Sequence, residues 1–486
     1  MRDVILFLPE FILSATALAV FGLAIAWRGR RTNPRVLLAL TLGGLALAFA
    51  ATLPAWGASA LLFSNLVAVG ALALFFKMFA LVATAFVVLS AWDFLQTRTR
   101  AQAEFYSFVL FAALTIMLAA DARNIILIYL AIESLSITSY ALAGFLRDDA
   151  RSTEGALKYF IYGAATSAVM LYGLTLLFGL TGSADLDAMA RALANANADA
   201  RALALPALAM VLAGLGFKIA LVPFHQWAPD AYEGAPTPVT AFLSVGPKAA
   251  GFAVLARVLI TAFPAFQPQW TVLLAALALV TMTVGNLAAL GQTNVKRMLA
   301  YSSIAQAGYI LIGLVAYTPA SRDAFAGLNG VLLFLFAYLF TNLGAFAAVV
   351  AVENATGSTE LTAFAGLIRR APALAVALFI FLLSLIGIPP TAGFVGKLLV
   401  FGAALERGYA WLALVGVANS IVSVYYYYRV IREMFFAPAT DDAHVVIPSA
   451  LSWTVGLAVA GTLVIALAPQ PFIEFATRSV AMLVVR

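Results

Sequence analysis

Six ionisable side chains stand in stretches that are otherwise too apolar to hold them: Glu133, Lys158, Lys218, His225, Lys248 and Lys397. A lysine at mid-membrane costs roughly 2.5–3.5 kcal/mol on insertion scales, so such a group marks an ion or proton path. The densest stretch is 216–257, GFKIALVPFHQWAPDAYEGAPTPVTAFLSVGPKAAGFAVLAR, with Lys218 and Lys248 at its two ends. Pro223 follows Lys218 and removes a backbone donor. A helix broken at membrane depth is tolerated where protein or water covers it, and its freed carbonyls bind water or cations. Lys218 and His225 are seven residues apart, two helical turns and nearly one face. A proton relay and a hydrogen-bonded packing histidine are equal readings of His225.

A second break repeats the pattern. FLLSLIGIPPTAGFVGKLLVF carries Pro389 and Pro390, then Lys397. The lysine precedes the first break and follows the second, which fits inverted half-paths. Glu133 is followed by Ser134, Ser136, Thr138 and Ser139, hydroxyls that hold water along one part of a helix. An unpaired carboxylate there is costly, so Glu133 should meet a lysine or be partly protonated. Glu154 and Lys158 are four residues apart, and a helix-end ion pair explains them as well as a functional site does.

The elements that must position these groups are membrane helices. The chain has 486 residues, 64% hydrophobic and 10% charged, with mean hydropathy +1.01. Apolar runs long enough to span a bilayer recur throughout. Fourteen spans are expected near 4–27, 35–54, 74–95, 105–120, 123–146, 155–181, 201–222, 236–262, 271–290, 296–316, 324–352, 371–388, 409–436 and 448–469. The fold class is all-α integral membrane, with helices 7 and 12 broken and two inverted five-helix repeats. The expected units are 1–103 (three helices), 104–262 (helices 4–8), 268–436 (helices 9–13) and 437–486 (helix 14). Residues 55–73 read as an external loop or short hairpin, which makes Lys77 a snorkelling interfacial lysine, and Arg257 reads the same way. Tyr425 to Tyr428 read as packing or interface.

One set of loops holds fourteen Arg and Lys residues, including Lys296 and Arg297 in one turn, and the other eight. The richer side should be cytoplasmic, which puts both termini in the periplasm. The absence of cysteine excludes cysteine-ligated iron–sulfur clusters and disulfides within the chain. With only His225 and His444, a bis-histidine haem in the bundle is not expected. No dinucleotide or phosphate-binding glycine motif stands in a strand–helix context. The formal charge of +6 is accounted for by cytoplasmic loops and needs no nucleic acid.

The 216–257 stretch, QTNVKRMLAYSSIAQAGY and SLIGIPPTAGFVGK resemble the antiporter-like membrane subunits of respiratory complex I, most closely the subunit N family of bacterial NADH:quinone oxidoreductase. The resemblance runs over nearly the whole chain. It implies a fourteen-helix proton channel in the bacterial inner membrane, with phospholipid and other complex I subunits as partners. NADH, FMN, iron–sulfur clusters and quinone would belong to those subunits. Glu133, Lys158, Lys218, Lys248 and Lys397 match the family's charged residues of spans five, six, seven, eight and twelve, and His225 lies in the matched VPFHQW. The implied mechanism has Glu133 and Lys218 as a switchable pair. At about 6 Å and an effective dielectric of about 20 their attraction is roughly 2.8 kcal/mol. Lys248, with His225 and water, passes the proton to Lys397. An Mrp-type cation/proton antiporter and a non-pumping scaffold subunit are the alternatives.

Overall fold

The computed structural model describes residues 2–26, 33–318, 325–439 and 444–481. Arg28, Arg30, Arg31, Arg322 and Arg486 of the loop-charge comparison, and the two terminal residues, lie outside the described residues.

Helices α1 (Arg2–Leu6), α2 (Leu8–Ala26) and α3 (Pro34–Thr52) precede a hairpin of β1 (Ala60–Leu62) and β2 (Val67–Val69), antiparallel with Ala60 opposite Val69. The first half continues with α4 (Ala71–Arg98), α5 (Gln102–Asp121), α6 (Ile125–Ala143), α7 (Ala150–Thr181), α8 (Leu186–Ala194), α9 (Ala198–Ile219), α10 (Trp227–Gly234) and α11 (Thr237–Arg257). The second half comprises α12 (Gln267–Ala289), α13 (Val295–Val315), α14 (Leu328–Thr356), α15 (Leu367–Arg370), α16 (Pro372–Ile386), α17 (Ala392–Glu406) and α18 (Ala410–Phe436). Helices α19 (Ser449–Leu467) and α20 (Gln470–Ala481) close the chain.

Thirteen described helices are long and apolar enough to cross a membrane. The twelfth crossing is divided between α16 and α17, which completes the fourteen expected spans. Two amphipathic helices escaped the sequence reading. Helix α8 is capped by Asp185, which accepts from the backbone of Asp187 and Ala188, and it buries Leu186, Met189 and Leu193. Helix α20 lays Phe472 and Phe475 against Phe336, Phe75 and Trp56.

Helices α11, α13 and α14 form the buried centre. Glycine lets α12 and α13 approach closely: a methyl group on Gly285 would lie 2.6 Å from the Ala305 nitrogen, and one on Gly308 2.6 Å from that of Met282. Small residues at such crossings let backbones pack by dispersion in the absence of a hydrophobic drive.

One corner occurs twice. Thr181–Gly182–Ser183 ends α7, and Thr356–Gly357–Ser358 ends α14. Both glycines are left-handed, φ +65° and +69°, which only glycine adopts without cost. In each, the Thr hydroxyl reaches back one turn and also bonds the Ser carbonyl at 3.2 Å. The following acidic residue then bridges to the asparagine that caps another helix, Asn124 to Asp185 and Asn294 to Glu360. The two corners end the sixth and eleventh crossings. An odd offset of five crossings places them on opposite faces, as inverted repeats require.

Candidate functional site

The first break begins earlier than Pro223 suggests. Helix α9 stops at Ile219, and Ala220 is left-handed at φ +63°. Lys218 therefore sits in the last helical turn, and His225 follows an irregular segment rather than the next turns of the same helix. Two of the last carbonyls of α9 are already used. Gly216 O accepts from Leu221 N at 2.7 Å, and Phe217 O accepts from the Trp227 indole at 3.1 Å. Lys218 Nζ instead donates to Ser136 Oγ at 2.6 Å.

Glu133, one turn before Ser136 on α6, accepts from Ser167 Oγ at 2.5 Å. Glu133 and Lys218 line the same narrow cleft, with Thr166, Met170 and Phe217. They form no direct ion pair among the described residues. The structure thus shows the expected pair apart, each side chain held by its own serine.

Lys158 belongs to a charged network at one end of the bundle. Its ammonium meets Glu154 at 2.7 Å and Asp230 at 2.8 Å. Arg297 bridges Asp230 at 2.6 Å and Glu233 at 3.0 Å. The helix-end pair and a link to α10 are both present. Asp230 and Arg297 were not expected as partners, although both lie in the quoted motifs. His225 bonds neither Lys218 nor Lys248 among the described residues, and its Nδ1 is buried without a partner.

Lys248 is buried in α11 and donates to both the carbonyl and the hydroxyl of Ser303, each at 2.5 Å. Pro247 beside it has no N–H, so the carbonyl one turn back is free. That carbonyl, Leu243 O, accepts the Tyr232 hydroxyl at 3.1 Å.

The second break works by the same rule. Pro389 and Pro390 lack the N–H groups that would cover Leu385 O and Ile386 O. Lys397 Nζ takes those carbonyls at 3.2 and 2.7 Å, with Ser420 Oγ at 3.0 Å and the Tyr309 ring centroid at 4.4 Å. The C-terminal end of α16 is the negative end of its dipole, which favours a cation. Gln306, one turn beyond Ser303 on α13, donates to the same Leu385 carbonyl at 2.8 Å. Lys248, Ser303, Gln306, Leu385 O and Lys397 are thereby consecutive polar neighbours across the centre of the molecule.

Three basic residues differ from expectation. Lys77 is not interfacial; it is 2% exposed and pairs with Glu10 at 2.7 Å and Asp121 at 2.8 Å. The carboxylates come from two other spans, and three helix ends meet there. Arg257 does not snorkel; it is buried and donates to Ala120 O at 2.5 Å. Lys296, expected in a cytoplasmic turn, is buried in the first turn of α13 and donates to Ala235 O at 2.7 Å. The tyrosine run divides by helical phase: Tyr426 and Tyr427 are buried, and Tyr425 and Tyr428 face outward.

Residues 122–423 match the family described as NADH:quinone oxidoreductase/Mrp antiporter, transmembrane. The chain is 40% identical to NADH-quinone oxidoreductase subunit N of Trichlorobacter lovleyi over 98% of this chain and 96% of that one. The chain belongs to the subunit N branch of this antiporter-like family. It is also 38% identical to F(420)H(2) dehydrogenase subunit N of Methanosarcina mazei, over 100% of both chains. A chain of respiratory complex I from Thermus thermophilus superposes with a TM-score of 0.80 at 35% identity, covering 96% of this chain and 98% of that one. Membership assigns the chain to a proton-translocating membrane module of the complex I and Mrp type. Lys158, Lys218, Lys248 and Lys397 all lie inside the matched region, and the last three of them are buried.

Proposed function

We propose that the chain is the proton-translocating subunit N of an NADH:quinone oxidoreductase in a bacterial inner membrane, with the arginine-rich face cytoplasmic and both termini periplasmic. The reading rests on one observation above all. Three buried lysines from two broken crossings and the helix between them are each held by hydroxyls or freed carbonyls, with Gln306 bridging towards Lys397.

Glu133 approaching Lys218 would stabilise the ammonium; its withdrawal to Ser167 lets Lys218 release a proton into the plane of the membrane. The neutral Lys248 amine takes that proton by way of water near His225. It passes the proton along the Ser303–Gln306 side of α13 to Lys397, which delivers it to the external side. Lys158, tied to Asp230, sets the field at the cytoplasmic end. The units 104–262 and 268–436 act as two inverted halves that meet at α11 and α13. NADH, FMN, iron–sulfur clusters and quinone are held by the partner subunits, and phospholipid covers the outer helices. The electron donor is set by those partners, since the same fold serves an F(420)H(2) dehydrogenase in Methanosarcina.

The test is Lys218→Ala in the assembled enzyme. Proton pumping and coupled electron transfer should fall while the amount of assembled complex stays normal. Full pumping would reject the role. Pumping that requires sodium and no redox partner would favour the Mrp-type reading, and indifference of coupling to substitution at all of Glu133, Lys158, Lys218, Lys248 and Lys397 would favour the scaffold.

A further inference from the structure

A cavity of about 360 Å³ opens at the junction of α10 and α11, on the face that carries Arg98, Arg147 and Arg297. Glu233, Lys296, Glu353 and Glu360 are among its lining residues. At about 30 Å³ per molecule in the liquid, it holds several waters. No step of the mechanism above uses it. Two observations connect it to Lys248.

The first lies on α11. Thr237, Thr240, Ser244 and Lys248 are spaced three, four and four residues apart, so they form one stripe along the helix. All four are buried. Thr237 bonds Glu353 at the cavity wall. The stripe then rises about 16 Å to Lys248 at 1.5 Å per residue.

The second lies on α14, which packs against α11. Its polar residues pair with the stripe in antiparallel order. Glu353 meets Thr237, Asn342 Nδ2 donates to Ser244 Oγ at 2.5 Å, and the Tyr338 hydroxyl neighbours Ser303, the partner of Lys248. Asn342 Oδ1 and Tyr338 OH are buried without a hydrogen-bond partner. A dry, purely structural contact would leave two such groups unpaired, which is unfavourable in a buried setting. A water between the two helices would satisfy both.

We infer that this cavity and the α11–α14 stripe are the proton uptake route to Lys248, with Glu353 as the acceptor at its mouth. A proton from cytoplasmic water converts the Glu353 carboxylate to the acid. It leaves along alternating water and hydroxyl oxygens, each accepting one proton and releasing its own to the next. The neutral Lys248 amine becomes ammonium, and Glu353 returns to carboxylate. The inference rests on the proton-transfer role of Lys248 proposed above and adds a second, cytoplasmic source of its proton beside Lys218.

The chain has no cysteine, so a single introduced one reports its own surroundings. In the assembled enzyme, Thr237→Cys and Ser244→Cys should react with methyl methanethiosulfonate at least ten-fold faster than Ala253→Cys, read as a mass shift of this chain. Ala253 is equally buried on the outer half of α11. Equal rates at Ser244 and Ala253 would overturn the route. Asn342→Leu and Glu353→Gln should lower pumping several-fold at normal assembly. Full pumping by both variants, with Lys248→Ala inactive, rejects the route and leaves the wider reading intact. Full pumping by Lys248→Ala rejects the wider reading itself.

Discussion

Lys77 offers the sharpest stability test, because it holds two buried carboxylates at once. Glu10 and Asp121 are 1% and 0% exposed. Their nearest oxygens lie 2.7 and 2.8 Å from Nζ, so they stand no more than 5.5 Å apart, the sum of those two distances. Lys77→Met leaves two like charges at that spacing. At an effective dielectric of about 20 their repulsion is roughly 3 kcal/mol. Breaking a buried ion pair on one side generally costs about 3–5 kcal/mol, which is consistent. The expected result is a large loss of folded chain, measured as the thermal midpoint and yield of the purified complex. Adding Glu10→Gln and Asp121→Asn to Lys77→Met removes both uncompensated charges, and replacement of a buried ion cluster by neutral groups is often tolerated. The triple variant should recover most of the loss. If Lys77→Met matches the parent protein, or if the triple variant is no better than the single one, the ion triad does not join these helix ends.

Gly387 is left-handed at φ +92°, and a methyl group there would lie 2.8 Å from Lys397 Cδ. Gly387→Ala should therefore cost about 1–2 kcal/mol of stability from backbone strain and should reduce pumping by displacing Lys397, read by vesicle acidification against assembled protein. Gly308→Ala should lower the yield of folded chain through the clash with α12, whereas Gly291→Ala, whose added carbon meets nothing within 4 Å, should not. Arg297→Ala breaks contacts to Asp230 and Glu233 that are partly exposed. It should cost no more than about 1 kcal/mol of stability; a larger drop in melting temperature would show that the charged end clamps the fold.

Both breaks were legible because proline acts locally: the residue that disrupts the helix is also the residue whose missing donor frees the carbonyl. Lys218, Lys248 and Lys397 were legible because an ammonium in an apolar run needs a partner. The partners were less so. Lys77 stands near a span end, where hydropathy alone reads a lysine as interfacial, yet Glu10 and Asp121 reach it from other spans. Arg257 was misread for the same reason. Helix α8 and helix α20 are short and half polar, so no run of apolar residues announced them. The repeated Thr–Gly–Ser corner was present in the sequence as TGSADL and TGSTEL and would have located both repeats directly.

The two broken crossings hold their lysines by different physical means. At the first, the backbone and Trp227 take the Gly216 and Phe217 carbonyls, and Lys218 bonds one hydroxyl with Glu133 lining the same cleft. At the second, two carbonyls and a hydroxyl are fixed on Lys397 by the ends of α16 and by α18. Fixed dipoles hold a proton steadily, whereas a carboxylate that moves changes the energy of its partner by several kcal/mol over a few ångströms. Glu133 is on α6, whose neighbouring Leu130 and Ile137 are 55% and 65% exposed. Glu133 thus lies near the outer face of the bundle, and Lys397 lies at the far end of the row. In the proposed cycle, Lys218 is accordingly the switch and Lys397 the holding site.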